Sequence, residues 1–140
     1  MRVIALLTAV LPLSFAASTT SKGTVSYDTT YDNSKLSTLN TACSDGSHGL
    51  YTKGFKTIGQ LKTFPFVGGA PEITDWNSSQ CGGCYKITYG NKTVTFTAID
   101  KANTLNMGLN AMNTLTGGKA KKLGNAKVTY QKVSEKECGL

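Results

Sequence analysis

Eight carboxylates could do acid–base work in this chain: Asp28, Asp32, Asp45, Glu72, Asp75, Asp100, Glu135 and Glu137. Hydrolysis of a glycosidic bond needs two of them at a set separation. No two sit in a recognisable motif. Asp100 is the most suggestive, because it ends an apolar alternating run, and strand ends present polar groups to grooves. A turn-forming or capping role is the simpler reading for it. His48 is the only histidine. It lies in a Gly-flanked turn without a partner base or nucleophile, so it reads as a turn residue rather than an acid–base catalyst. No Gly-x-Ser-x-Gly elbow is present. Trp76, Tyr27, Tyr31, Tyr51, Tyr85 and Tyr89 could stack on sugar rings, since an aromatic face covers the C–H face of a pyranose. Tyr85 and Tyr89 alternate along an apparent strand and read as core. Trp76, between Asp75 and Asn77, is equally a core plug or a sugar platform.

Cys81 and Cys84 form a Cys-x-x-Cys pair, with Cys43 and Cys138 far away on either side. Such a pair can be a redox motif, a metal knuckle or two anchors for separate disulfides. The compartment favours the last reading. Met1-Arg2, an apolar run over Val3–Leu13, and the small-residue signals Ser14-Phe15-Ala16 and Ala16-Ala17-Ser18 predict a secretory leader over 1–17. The mature domain is then 18–140. An even cysteine count in a small exported domain implies disulfides. Four cysteines allow three connectivities, and spacing does not rank them. A Cys81–Cys84 bridge would close a tiny loop. Pairing each with a distant cysteine would close two long loops, at about 4 kcal/mol each in the chain-entropy model.

The charge narrows the partners. Lysine and arginine total 15 against 8 acids, a formal +7. Without Arg2, which belongs to the leader, every remaining cation is lysine and the net charge is +6. Nucleic-acid readers use arginine for bidentate contacts, so nucleic acid is not expected. No metal and no cofactor are called for. No segment after the leader is apolar enough to span a membrane. Lys119, Lys121 and Lys122 read as a solvated basic cluster. Asn77-Ser78-Ser79 and Asn91-Lys92-Thr93 are glycosylation sequons.

The elements that would hold these residues are short. Thr24–Tyr27 alternates and predicts a strand. Leu36, Leu39 and Ala42 predict one or two helical turns. Thr57, with Gln60 three residues on, predicts a capped short helix. Pro65, Gly68, Gly69 and Pro71 interrupt any longer element. Tyr85–Tyr89 and Thr93–Ala98 predict a hairpin about Gly90-Asn91. Leu105, Leu109 and Met112, with Leu115 beside them, predict a helix stopped by Gly117-Gly118. Val128–Val133 predicts a last strand. Several short strands with small helices suggest a small barrel with insertions.

Together these residues resemble the cerato-platanin family of small secreted fungal proteins. The resemblance rests on Val25-Ser26-Tyr27-Asp28 with Tyr31, on Cys43 to Leu50 (Cys-Ser-Asp-Gly-Ser-His-Gly-Leu), and on Gly68-Gly69. It continues through Trp76-Asn77-Ser78, Cys81-Gly82-Gly83-Cys84, Ile99-Asp100, Asn106, Ala111-Met112-Asn113, Leu115-Thr116-Gly117 and Cys138. It implies a mainly β fold with short helices, a six-stranded double-psi β-barrel like barwin and the expansin N-terminal domain. It implies the pairing Cys43–Cys81 and Cys84–Cys138. With the leader, the chain is expected to be a monomer outside the cell. It also implies a shallow groove for chitin-type N-acetylglucosamine oligomers. By position, Ser44, Asp45, Gly46, Asp100 and Asn106 would line that groove, with Asp28, His48 and Trp76 at its margin. The family is non-catalytic on ordinary polysaccharides, and some members loosen cellulose or provoke host defence. The Asp100 position resembles that of the catalytic acid in related hydrolases, but the second acid is not identifiable. The first alternative is expansin-like loosening of cellulose without hydrolysis, and a weak hydrolase with Asp100 as general acid is the second.

Overall fold

The computed structural model describes residues 7–12 and 19–140. The start of the expected leader and its cleavage signals at 14–18 lie outside these residues. Residues 7–12 form no helix or strand, and Leu7, Val10 and Leu11 stay exposed.

Six strands make a closed barrel. In chain order they are β1 (Ser21–Tyr27), β2 (Val67–Ala70), β3 (Cys84–Tyr89), β4 (Lys92–Lys101), β5 (Leu105–Met107) and β6 (Ala126–Val133). Around the barrel the order is β1-β5-β2-β4-β3-β6, with β6 returning to β1. This is the small barrel that the strand pattern and the resemblance predicted. Closure removes the open edges that would otherwise invite pairing with other chains.

The β3–β4 hairpin follows the alternation directly. Ile87 faces Val94 and Tyr85 faces Phe96, all four buried. Lys86, Thr88, Thr93 and Thr95 alternate with them on the outer side. Beyond Thr95 the alternation stops, and Phe96 to Ile99 are all buried. Both faces of β4 are covered there: Thr97 meets the Thr63 hydroxyl at 2.6 Å, and the 3-10 turn at Glu135–Cys138 packs against the strand. The 82–83 segment bonds along its edge, with Gly82 N donating to Ala98 O and Ala98 N donating to Gly83 O, each at 2.9 Å.

Four expectations are corrected. Gly68 and Gly69 are not breakers but the centre of β2, which lies between β4 and β5. A Cβ on Gly68 would stand 1.9 Å from the Asn106 carbonyl oxygen, so only glycine permits this approach of two backbones. Leu105 is not on the helix. It belongs to β5, paired in parallel with Val25, and the helix α1 starts later, at Leu109–Thr116. The helical turns expected at Leu36–Ala42 shrink to a 3-10 turn at Thr38–Asn40, with Leu39 47% exposed. Thr38 is the buried residue instead, its hydroxyl donating to Phe55 O at 2.7 Å. Thr57 precedes a 3-10 turn at Ile58–Gln60 but makes no side-chain cap bond. Gln60 Oε1 reaches back to Lys56 N at 2.8 Å. In each case tertiary contacts override a local pattern only a few residues long.

Helix α1 buries Ala111, Met112 and Leu115 and ends at Gly117, as expected. Its first turn has an acidic cap from a distant segment: Asp32 Oδ1 accepts from Asn110 N at 2.9 Å. A single-turn helix α2 (Ala120–Leu123) follows, which the sequence pattern did not predict. Lys119, Lys121 and Lys122 are exposed around it.

Both disulfides take the pairing that the resemblance implied. Cys43 joins Cys81 and Cys84 joins Cys138, with Cα separations of 5.4 and 5.7 Å. They close loops of 38 and 54 residues. Removing Cys84–Cys138 by a double alanine change should lower the unfolding free energy by about 4 kcal/mol. Gly68→Ala should cost about 3 kcal/mol, because its methyl group meets backbone that cannot move aside. Urea unfolding measures both. A Gly68→Ala protein as stable as the wild type would contradict the close packing of β2 on β5.

Candidate functional site

The loop after Cys43 is held against the end of β4. Cys43 N donates to Ile99 O at 3.2 Å, and Leu50 N returns to Cys43 O at 2.9 Å. These bonds and the Cys43–Cys81 bridge place Ser44 to His48 beside the 75–77 segment. Asp45 and Trp76 meet there: Trp76 Nε1 donates to Asp45 Oδ1 at 2.8 Å, and Ser44 Oγ lies 3.3 Å from the same oxygen. The indole bond does most to hold the Asp45 carboxyl below its ordinary pKa. Of the two roles open to Trp76, the structure favours the exposed one. The residue is 59% exposed and outside the core.

Gly46 and Asn77 set the angle of that indole. Gly46 has φ +83°, and a Cβ there would lie 2.7 Å from Asn77 Cγ and 3.0 Å from Trp76 Cζ2. Asn77 itself has φ +57°, the left-handed region that asparagine tolerates better than most residues. Its Oδ1 accepts from His48 N at 2.8 Å, and its carbonyl oxygen lies 3.1 Å from His48 Nδ1. His48 is thus turned towards Asn77 and, among the described residues, bonds no nucleophile or carboxylate.

Asp100 sits at the inner edge of the same region. Its Oδ1 accepts from Ala42 N and from Lys101 N, each at 2.9 Å. Its Oδ2 accepts from the Tyr31 hydroxyl at 2.8 Å. Burial, then the negative charge of Asp100 and this hydrogen bond, push the Tyr31 hydroxyl well above the usual tyrosine range. An acid catalyst must turn a proton towards the scissile bond. Here both carboxylate oxygens are occupied by donors of the protein.

The expected residues gather at one end of the barrel. Asn77 N donates to Ala42 O at 3.3 Å, so the Trp76–Asp45 pair and Asp100 share Ala42 as a common support. Register places Asp100, Gly69, Asn106 and Ser26 in one row across β4, β2, β5 and β1. Asn106 Oδ1 in that row is buried and has no intramolecular donor among the described residues. Asp28 caps the 3-10 turn at Thr29–Asp32, accepting from Thr30 N at 2.8 Å, and its own N–H donates to Met107 O. One contributor carried no site signal in the sequence pattern, the Ala42 backbone, and Asn77, noted there only as a neighbour of Trp76, proves to be a left-handed turn residue. No cluster of three or more His, Cys, Asp or Glu placed to hold a metal ion occurs among the described residues.

Two outcomes follow from this geometry. In Trp76→Phe the Asp45 carboxyl should titrate at higher pH than in the wild type, because its main hydrogen bond is gone. A group with a depressed folded-state pKa stabilises the fold above its unfolded pKa and loses that contribution as pH falls through the folded value. The variant should therefore show a smaller acid-side loss. Side-chain carboxyl NMR against pH reads the shift directly, and an unmoved Asp45 would refute the coupling. Asp100→Ala should cost about 3 kcal/mol, since it leaves Ala42 N–H and the buried Tyr31 hydroxyl without their acceptor. Denaturant unfolding measures this.

Comparison with known proteins agrees with the geometry. A family model described as Cerato-platanin matches residues 23–140. The heat-stable 19 kDa antigen of Coccidioides posadasii is 44% identical over 131 residues, covering 93% of this chain and 90% of that protein. The crystal structure of cerato-platanin 3 from M. perniciosa superposes with a TM-score of 0.81 at 41% identity, covering 86% of this chain and all of the other. The solution structure of the fungal elicitor Cerato-Platanin has a TM-score of 0.73 at 34% identity, covering 82% and 95%. A more distant likeness, in fold only, is the apo expansin of Clavibacter michiganensis, with a TM-score of 0.51 at 17% identity, covering 83% and 51%. The barrel is thus the double-psi type shared with expansins, and the chain belongs to the cerato-platanin family.

Proposed function

We propose that this protein is an exported, non-catalytic binder of chitin-type N-acetylglucosamine oligomers, working in fungal wall remodelling and in eliciting host defence. The observation that carries this reading is the exposed Trp76 ring, braced by its N–H bond to Asp45 and flanked by Ser44, Gly46 and Asn77. An indole held in one orientation covers the C–H face of a pyranose without a large loss of side-chain freedom. The neighbouring carboxylate and amide groups suit sugar hydroxyls and the acetamide group. Ser44, Asp45 and Gly46 form the near side of the groove, and Asp100 and Asn106 its far side. Asp28 and His48 border it. The predicted leader and the two disulfides support export. The elicitor role leans on the name of the solved relative.

Binding without cleavage is favoured by Asp100, whose oxygens are engaged by Tyr31, Ala42 and Lys101. The fold likeness to an expansin favours a second reading, loosening of cellulose without bond cleavage. Filter-paper dispersion no greater than with an inert protein would remove it. Appearance of reducing ends that is abolished by Asp100→Ala would instead support a weak hydrolase.

NMR titration with chitotetraose tests the main proposal. Shifts should cluster at Asp45, Trp76, Asp100 and Asn106. Trp76→Ala should weaken binding by about tenfold, equal to about 1.4 kcal/mol. An oligomer that leaves these signals unmoved overturns the assignment.

A further inference from the structure

The outer face of β1, β6, β3 and β4 takes no part in the site above. Strand register aligns Lys22, Thr129, Thr88 and Thr93 in a single row across these four strands. Neighbouring strands lie about 4.8 Å apart, so the three threonine positions repeat at about that step. The Thr88 and Thr93 hydroxyls are themselves 2.8 Å apart. Lys127, two residues before Thr129, and Lys86, two before Thr88, stand on the same face beside the row. Clefts of about 530 and 280 Å³ run over this face and share Thr88 and Thr129. No carboxylate lines either of them. Among the described residues Lys22 and Lys127 make no ion pair, and Lys86 has only a half-exposed one with Glu137 at 3.4 Å. A pair of that kind contributes little.

We propose that this face is a second glycan site, for a linear polysaccharide bearing carboxylates, that is, a polyuronide. A sugar chain lying across the strands advances by about one pyranose per strand. The Thr129 hydroxyl can donate to and accept from ring hydroxyls, while the bonded Thr88–Thr93 pair offers one free proton and acceptor lone pairs on both oxygens. The lysine ammonium groups neutralise carboxylates as point charges, and their stems with the threonine methyls cover C–H surface. No arginine lines either cleft, so bidentate phosphate recognition does not fit, and the one ring at the smaller cleft, Tyr130, is packed against the core and edge-on to Tyr85 rather than displayed for stacking. It presents no large apolar side chain to enter a membrane. The Trp76 end, by contrast, carries Asp28, Asp45 and Asp100, which repel an acidic glycan. The Trp76 end and this sheet face therefore suit ligands of different charge, and this proposal stands independently of chitin binding.

A short oligogalacturonate is the probe. Titrated into the folded protein, it should shift Thr88, Thr93 and Thr129 and leave Trp76 and Asp45 unmoved, with affinity falling as salt rises. Lys22→Gln with Lys127→Gln should weaken binding by about tenfold and flatten the salt dependence. Thr88→Val with Thr129→Val keeps the shape, the charge and the strand preference while deleting two hydroxyls. It should weaken binding by about fivefold. Unchanged affinity in the valine variant would overturn the proposal, because charge alone would then explain binding. Equal binding to phosphatidylserine vesicles or to dextran sulfate would overturn it for the same reason, as would shifts centred on Trp76.

Discussion

The two disulfides start three residues apart and run in opposite directions. Cys81 ties back to Cys43 and Cys84 ties forward to Cys138, so the Gly82-Gly83 link between them is under restraint from both halves of the chain. That link is also bonded along β4 through Ala98. That edge of β4 is thereby paired as far as Ala98, and Phe96 to Ile99 are all buried before Asp100 emerges. A domain of this size has a modest core, and about 8 kcal/mol of cross-link stabilisation is comparable to its whole expected stability. The 42–50 loop has no long helix or strand of its own, and its position depends on the Cys43–Cys81 bridge and the bond from Cys43 to Ile99.

Asp100 shows how one side chain ties several segments together at such a point. Its three donors come from Tyr31, Ala42 and Lys101, joining the first 3-10 turn, the Cys43 loop and its own strand. A carboxylate used in this way fixes the geometry of the surrounding loops whether or not it touches a ligand. Asp45 is the opposite case. It is exposed, and its partners are the indole N–H and a serine hydroxyl. Asp100 therefore acts first on the shape of the surface, and Asp45 on the orientation of the aromatic ring displayed there.

The charge is unevenly used. Asp28, Asp45 and Asp100 gather with Trp76 at one end, while Lys22, Lys127 and Lys86 frame a threonine row on the outer sheet face. Composition alone records only an excess of lysine. Its meaning depends on strand register, because a slip of one residue would turn that row into the core.

Much of the framework was legible in the residues themselves. Tyr85, Ile87, Val94 and Phe96 alternate strictly, so the β3–β4 hairpin needed only local pattern and a Gly-Asn turn. Gly117 stopped α1 for an equally local reason. The family resemblance supplied the barrel type and the disulfide pairing, which spacing had left open among three. What the residues did not reveal depends on contacts distant in sequence. Gly68 looks like a breaker until the Asn106 backbone is seen against it, and Leu105 looks helical until Val25 pairs with it. Trp76 could equally have been buried or displayed. Its exposure is decided by Gly46, Asn77 and Asp45, residues brought beside it by a bridge spanning 38 positions. Local periodicity and turn chemistry are properties of neighbours in the chain and can be read from order alone. Close backbone approach, strand register and the setting of a side chain against a remote loop exist only once the barrel has closed.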